Sequence, residues 1–302
     1  MQLPTPSTRH VSFDNVYEPA EDSYLFLDTL STPTETEWLH ARFSAPSIIH
    51  QNQDDDNDTS KRNPAAATPL VVELGPGSGV IVAFLTAHAR RIFGHEGILS
   101  ASVDVNWHAC VATRTTVQTA LAETKDATTT IAGSSPSLPN SSVYLASLNG
   151  DLSGMLRPGS ADVVVFNPPY VPTESVPAQQ YHGHGQEGQL PQVMTTPTFE
   201  ESSHLLAQSY AGGRDGMEVT SRMLAQLPGM LSARGVAYVL FCRGNRPDEV
   251  KASIRGLGDA ASGGEREGEG EGERRKWHAE TVGESGKTAG WEKLEIVRIW
   301  RE

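Results

Sequence analysis

The sequence predicts an α/β fold, a doubly wound and mostly parallel sheet of seven strands with helices on both faces. Short apolar runs alternate along the chain with longer segments of helical character. The last apolar run, Leu294 to Trp300, is reached without a helix, and strands connected in this way commonly pair antiparallel. We therefore expect a parallel sheet that closes with an antiparallel final strand.

The elements can be placed in order along the chain. Tyr24 to Leu30 predicts a first helix, and Pro19 with the acidic residues after it suits the turn that begins it. The predicted strands are 70–74, 98–104, 143–148, 161–166, 235–242 and 294–300. The later predicted helices are 79–91, 107–123, 200–209, 218–231 and 247–257.

Three polar stretches interrupt this alternation: 31–68, 124–141 and 258–290. The first is rich in Thr and Pro, the second in Thr, Ser and Pro, and the third in Gly and Glu. None of these compositions can build an apolar core. We predict flexible insertions there. Roughly two hundred residues remain without them, a usual size for one domain, so the whole chain 1–302 is predicted to be a single domain.

Bulk composition argues against several classes of protein. The 24 basic and 37 acidic residues give a net charge of −13, and no dense basic stripe suits a duplex nucleic acid. The two cysteines, Cys110 and Cys242, form neither a disulfide framework nor a metal motif. No apolar stretch approaches a membrane span, and Met1 to His10 lacks the apolar core of a signal peptide. We expect a soluble cytoplasmic protein that can also be nuclear.

A glycine-rich turn follows the first predicted strand, where Glu73-Leu74-Gly75-Pro76-Gly77-Ser78-Gly79 leads into a helix. Glycines at this position let backbone N–H groups approach a ligand, and a helix N-terminus favours negative charge. The spacing differs from the G-x-G-x-x-G of dinucleotide sites. The turn alone is a weak signal, because glycines needed only for helix–strand packing would give the same pattern.

Carboxylates after neighbouring strands strengthen the cofactor interpretation. Asp104 ends the second strand, where a carboxylate can bind both hydroxyls of a ribose, although strand-end turns also use Asp. Asp151 and Leu152 follow the third strand and could bind an adenine amino group and pack on its ring. Glu73 ends a buried strand and needs a partner, for which the ammonium of a methionine moiety is a candidate.

The fourth strand ends in Asn167-Pro168-Pro169-Tyr170, a motif suited to a planar NH2 group. The Asn167 side-chain carbonyl and the Pro168 carbonyl can accept its two hydrogen bonds. The prolines fix φ and remove competing donors, and Tyr170 offers an aromatic face for stacking. An ordinary turn is the alternative. Together with the glycine turn, the motif predicts methyl transfer to an amide or amine nitrogen.

Four segments resemble the HemK-like class I methyltransferases with a Rossmann-like fold, more narrowly the eukaryotic release-factor glutamine N5-methyltransferases. They are Val16–Ser23 (VYEPAEDS), Val72–Val80 (VELGPGSGV), Phe166–Val171 (FNPPYV) and Ala211–Gly216 (AGGRDG). The resemblance implies S-adenosylmethionine as methyl donor and, as acceptor, the glutamine of a Gly-Gly-Gln motif in the class I translation release factor.

The resemblance also implies site residues and a partner. The implied donor contacts are Ser23, Glu73, Gly75, Gly77, Asp104, Asp151, Leu152 and Asn167. Asn167, Pro168, Pro169 and Tyr170 would hold the acceptor. A small zinc-ribbon activator subunit would dock on the edge of the strand Val143–Leu148 to form a heterodimer. The long insertion before the first strand makes the donor contact of Ser23 the least direct of these expectations.

Other functions fit the same residues. The pocket could take a flipped adenine, although the missing basic recognition region argues against a nucleic-acid N6-methyltransferase. A protein lysine would fit after deprotonation, and a noncatalytic cofactor-binding scaffold is disfavoured by the intact Asn167 and Tyr170. The glycine spacing disfavours an NAD dehydrogenase. His182 and His184 lie in a glycine-rich loop, and we predict no metal site there.

Overall fold

The computed structural model describes residues 3–43, 68–95, 97–129, 141–178, 197–260, 276–286 and 293–302. The strands are β1 (Leu70–Leu74), β2 (Leu99–Asp104), β3 (Val143–Asn149), β4 (Ala161–Phe166), β5 (Leu231–Cys242), β6 (Trp277–Glu284) and β7 (Leu294–Arg301). The helices are α1 (Glu21–Leu30), α2 (Pro33–Phe43), α3 (Val80–Ala87), α4 (Ala89–Phe93), α5 (Trp107–Thr129), α6 (Phe199–Tyr210), α7 (Glu218–Met230) and α8 (Pro247–Ala260).

The seven strands form one sheet in the order β3-β2-β1-β4-β5-β7-β6. The first five strands pair in parallel, with Val71 of β1 opposite Val163 of β4. β7 lies between β5 and β6 and is antiparallel to both. The predicted fold class, including the antiparallel final strand, is confirmed. The assignment of 1–302 to a single domain stays a prediction.

Both faces of the sheet are covered by helices. Alternate strand residues point to opposite sides, and apolar residues on each side pack against a layer of helices. One face packs against α1 to α4, whose contributions include Phe26, Leu39 and Phe84. The other face packs against α7 and α8 through residues such as Met223 and Ile254. α5 packs beside α3 over the β2–β3 end of the sheet. The central strands β1 and β4 are buried nearly throughout, which explains their continuous apolar sequence.

The predicted insertion 31–68 is wrong over its first part, where α2 forms. Thr32 accepts a hydrogen bond from the Glu35 backbone N–H, and Pro33 begins the helix, so these residues start a helix instead of preventing one. Leu39 and Phe43, one turn apart, are completely buried. Glu35 is buried against the Arg298 guanidinium at 2.8 Å. Residues 44–67 lie outside the described part of the chain.

The other two predicted insertions also contain ordered elements. α5 continues through 124–129, and α8 continues through 258–260. Residues 277–284 form β6, the strand that the sequence prediction left unlocated, with Trp277 and Ala279 buried against β7. The Gly/Glu-rich sequence before β6 concealed this short edge strand. The remaining parts, 130–140, 261–275 and 287–292, lie outside the described residues.

The N-terminal arm lies along the helices that border the glycine turn. His10 Nε2 is 3.2 Å from the Ala112 carbonyl on α5, and the Asn106 side chain donates to the Asn15 carbonyl at 2.7 Å. These contacts bring Tyr17 beside Gly77. Within the described ranges, no helix combines the length and the apolar character needed to span a membrane.

Candidate active site

One cavity opens at the carboxyl ends of β1, β2 and β4, where open α/β sheets bind their ligands. Every site residue predicted from the sequence lines this cavity, and the individual roles stay predictions. They are Ser23, Glu73, Gly75, Gly77, Asp104, Asp151, Leu152, Asn167, Pro168, Pro169 and Tyr170. Glu73 and Tyr170, 97 positions apart, meet because the parallel strands β1 and β4 end at the same edge, and Ser23 is added by α1.

The glycine turn presents open backbone to the cavity. Gly75 and Gly77 have φ angles of 59° and 54°, in the left-handed region that favours glycine. A Cβ at either residue would meet nothing closer than 3.8 Å. The Gly75 N–H donates to the Val103 carbonyl at 2.8 Å, and the Gly77 N–H donates to Asp104 at 3.2 Å. These two glycines therefore leave room on the ligand side of the turn.

Gly79 has a different role from the other two glycines. A Cβ there would lie 2.6 Å from the Thr113 Cα, far closer than real atoms approach. Thr113 belongs to α5, so Gly79 lets the start of α3 pack directly against that helix. The packing interpretation of the glycine turn is therefore correct for Gly79, while Gly75 and Gly77 border open space.

Two buried carboxyl groups stand below the turn. Burial raises the pKa of Glu73 to about 8, opposed by a hydrogen bond from the Val82 N–H and reinforced by nearby Asp104. Burial also raises the pKa of Asp104 to about 6, although the N–H groups of Asn106 and Gly77 donate to it. Both carboxyls would gain from a cationic or hydrogen-donating ligand, since each is otherwise deprived of water.

The turn after β3 adds a third acid. Asp151 forms an ion pair with Arg222 of α7, and the next residue, Leu152, is buried with a φ of 48°. A left-handed backbone is rare for a bulky apolar residue and marks local strain.

The Asn-Pro-Pro-Tyr segment leaves β4 and borders the cavity opposite the carboxyls. The Asn167 side-chain oxygen is buried and has no hydrogen-bond partner among the described residues. An unpartnered buried acceptor costs free energy, so its persistence at a cavity wall indicates a site for a donor. Burial and the charge of Asp22 raise the pKa of Tyr170, which therefore keeps its phenolic proton.

Asp22 and Tyr17 belong to the site but were not among the predicted site residues. Asp22 is 3% exposed and accepts hydrogen bonds from the hydroxyls of Tyr17, at 3.1 Å, and Tyr170. Its other oxygen accepts from the Ser23 N–H at 2.6 Å. Both residues lie in the Val16–Ser23 segment, one of the four that carry the family resemblance. The position of Asp22 directly before Ser23 could have identified it from the sequence.

Asn245 supports the acceptor side from below and was also missed. Its side-chain N–H2 donates to the Tyr170 carbonyl at 3.2 Å and to the Asp215 carbonyl at 3.0 Å, and its oxygen accepts from the Cys242 N–H at 2.8 Å. A Cβ at Gly216 would lie 2.0 Å from the same Tyr170 carbonyl. Gly212 and Gly216 of the Ala211–Gly216 segment are therefore needed for packing against the backbone of Pro169 and Tyr170.

Comparison with known proteins agrees with this geometry. No protein-family model matches the chain. It is 26% identical over 262 residues to methyltransferase HEMK2 of Mus musculus, covering 85% of this chain and 86% of that protein. It is 27% identical over 252 residues to the eRF1 methyltransferase catalytic subunit mtq2 of Schizosaccharomyces pombe, covering 81% of each.

A third similarity is shorter and has a higher sequence identity. The chain is 40% identical over 108 residues to the ribosomal protein uL3 glutamine methyltransferase of Bordetella pertussis, covering 36% of this chain and 29% of that protein. The first two similarities extend over most of the chain. The resemblance predicted from four segments is thus confirmed: over most of its length this chain is similar to proteins named methyltransferase HEMK2 and eRF1 methyltransferase catalytic subunit.

Proposed function

We propose that this protein transfers a methyl group from S-adenosylmethionine to the side-chain amide nitrogen of a glutamine. The acceptor is the glutamine of the Gly-Gly-Gln motif in the eukaryotic class I release factor. One observation carries the proposal, the unpartnered buried oxygen of Asn167 at the wall of the cavity that Gly75 and Gly77 border. The relatives are named as methyltransferases, one of them for eRF1 and one for a glutamine.

The residues of the cavity fit the proposed donor. Gly75 and Gly77 leave space for close approach, and Asp104 can accept from ribose hydroxyls. Glu73, whose carboxyl is fully buried, would pair with the donor's ammonium group. Ser23, Asp151 and Leu152 line the same cavity, the last two at the end of β3. When bound, the donor supplies a methyl group activated by a sulfonium.

The acceptor residues act mainly by position. An amide nitrogen is a weak nucleophile because its lone pair is delocalised into the carbonyl. Asn167 Oδ1 and the Pro168 carbonyl would each accept one N–H of the glutamine, which fixes the nitrogen and stabilises positive charge developing on it. Tyr170 would stack on the planar amide. The transfer would break the S–CH3 bond and form an N–CH3 bond, with S-adenosylhomocysteine as the leaving group. The cationic amide would then lose one N–H proton to solvent water, so no charged base is needed at the nitrogen.

A zinc-ribbon activator subunit is part of the proposal. β3 lies at one edge of the sheet, and its residues Val143 and Leu145 are 49% and 54% exposed. An exposed apolar strand edge is a site for strand addition by another protein. The yeast relative is named as a catalytic subunit.

A labelling experiment tests the function. Purified protein with the zinc-ribbon subunit and isotopically labelled S-adenosylmethionine is offered the release factor, its glutamine variant, or DNA. We expect label on the release factor and none on the glutamine variant. Label on DNA alone would favour the adenine methyltransferase, and label on the glutamine variant would point to another acceptor such as lysine.

A further inference from the structure

The turn Asp151–Ser153, which follows β3, is held by two side chains of α7. We propose that Arg222 and Gln226 are positioning residues that fix this turn and so set the selectivity of the donor site for adenine. The inference rests on the proposed function, because it concerns the base of the methyl donor. It adds a role for two residues that belong to neither the glycine turn nor the acceptor motif.

The turn needs external support. Leu152 has a φ of 48° and is 7% exposed, in contact with the apolar core on the α7 side of the sheet. A bulky residue keeps a left-handed backbone only when its surroundings determine that conformation. Asp151, immediately before it, lines the cavity, so any relaxation at Leu152 would redirect the Asp151 carboxylate.

Gln226 supplies the support on one side of Leu152. Its side-chain oxygen accepts from the Ser153 hydroxyl at 2.6 Å and from the Ser153 backbone N–H at 3.2 Å. A single acceptor thus holds both the side chain and the main chain of the residue after Leu152. The neighbouring residue on α7, Leu227, is buried against the sheet and anchors this part of the helix.

Arg222 supplies the support on the other side. It lies one helical turn before Gln226 and pairs with Asp151 Oδ2. Asp151 Oδ1 accepts no hydrogen bond from the described residues, which leaves that oxygen available to the exocyclic amino group of an adenine. The Arg222 side chain is 47% exposed, so its ion pair with Asp151 adds little to the stability of the fold. Its role here is to orient the Asp151 carboxylate.

A consequence follows for the choice of base. The amino group of an adenine donates an N–H hydrogen bond to the Asp151 carboxylate. Hypoxanthine presents a carbonyl oxygen at the same position, which a carboxylate repels. A site that places an acceptor for one N–H group rejects an analogue without it. The preference should therefore depend on Arg222 and Gln226, although neither needs to touch the base.

The test measures binding of S-adenosylhomocysteine and S-inosylhomocysteine by calorimetry. The variants are Arg222→Met and Gln226→Leu, with Gln226→Glu as a conservative variant that keeps the acceptor oxygen. Arg246→Met is the matched control, because it breaks an exposed Arg–Asp pair of 3.2 Å that does not line the cavity. Urea unfolding of each variant detects a general loss of stability.

We expect the wild-type protein to bind the adenosyl compound roughly 10- to 100-fold more tightly than the inosyl compound. In Arg222→Met and Gln226→Leu this ratio should fall to about threefold or less, through weaker adenosyl binding, while Gln226→Glu and Arg246→Met keep it. An unchanged ratio in both test variants would overturn the inference and leave the proposed function intact. Failure of the wild-type protein to bind either compound would overturn the proposed function itself.

Discussion

In the proposed function, binding of the acceptor depends on one oxygen of Asn167, which is buried and without a partner among the described residues. We predict that Asn167→Ala lowers turnover on the release factor by about 100-fold or more, because the amide nitrogen loses its alignment. Affinity for S-adenosylhomocysteine should stay measurable and fall far less than turnover, because the other donor residues of the cavity remain in place. Single-turnover assays and calorimetry check the two effects, and near-normal turnover would remove Asn167 from its assigned role.

Glu73 gives the donor site a pH dependence. Its pKa is raised to about 8 by burial, so the carboxyl is protonated at pH 6.5 in the free protein. The donor's ammonium favours the carboxylate and lowers that pKa on binding. Affinity should therefore rise with pH from 6 towards 8, and binding should release a proton at pH 6.5.

Calorimetry in buffers of different ionisation enthalpy measures this proton release. In Glu73→Gln most of the release at pH 6.5 and most of the rise in affinity from pH 6.5 to 8 should disappear, since the amide cannot ionise. Asp104, whose pKa is raised to about 6, remains as a smaller source of release at lower pH. Equal proton release in the wild-type protein and in Glu73→Gln would show that Glu73 does not meet the ammonium group.

At the residue scale, site residues that directly follow a strand can be predicted from the sequence. Residues that join the site through contacts distant in sequence are harder to predict. Asp104 and Asn167 end apolar runs, and parallel strands bring such ends together. Asn245 could not be found in the same way, because its partner Tyr170 is 75 positions away and the contact is with a backbone carbonyl. No local pattern distinguishes such an asparagine from a turn residue.

At the scale of elements, the contact between α3 and α5 depends on Gly79. We predict that Gly79→Ala lowers the free energy of unfolding by about 1–3 kcal/mol, because its Cβ would overlap the Thr113 backbone. Gly75→Ala is the control, since it has a similar positive φ of 59° but nothing within 3.8 Å of its Cβ. Urea unfolding compares the two.

The two glycine variants should also differ in binding. Gly75→Ala intrudes on the cavity and should weaken donor binding with a smaller loss of stability. Gly79→Ala should lower stability more and weaken donor binding less. Equal stability losses in the two variants would mean that backbone strain alone, and not helix packing, requires glycine at position 79. Calorimetric affinity for S-adenosylhomocysteine completes the comparison.

The elements missed from the sequence share one cause. Both α2 and β6 lie in stretches whose overall composition is polar, and both are stabilised by contacts distant in sequence. Glu35 of α2 pairs with Arg298 of β7, and its other oxygen accepts from the Tyr238 hydroxyl at 2.9 Å. A stretch that is polar on average can still contain a few apolar residues, such as Leu39 and Phe43, which become buried only when the chain folds.

At the scale of the whole molecule, the sheet order keeps the cavity apart from the edge proposed for the partner subunit. The cavity lies at the carboxyl ends of the central strands, while β3 forms one lateral edge with Val143 and Leu145 exposed. A partner can therefore cover the edge without entering the cavity. We predict that Leu145→Lys prevents stable association with the zinc-ribbon subunit, because a lysine on an edge strand opposes strand addition.

Co-purification of the two subunits measures this effect, and calorimetry with S-adenosylhomocysteine measures the donor site separately. Leu257→Lys on α8 is the matched control, since Leu257 is 41% exposed but lies on a helix away from that edge. Leu145→Lys should lose the subunit and keep donor affinity, while the control keeps both. If Leu145→Lys retains the subunit, the partner docks on another face, and the exposed residues of β3 need a different explanation.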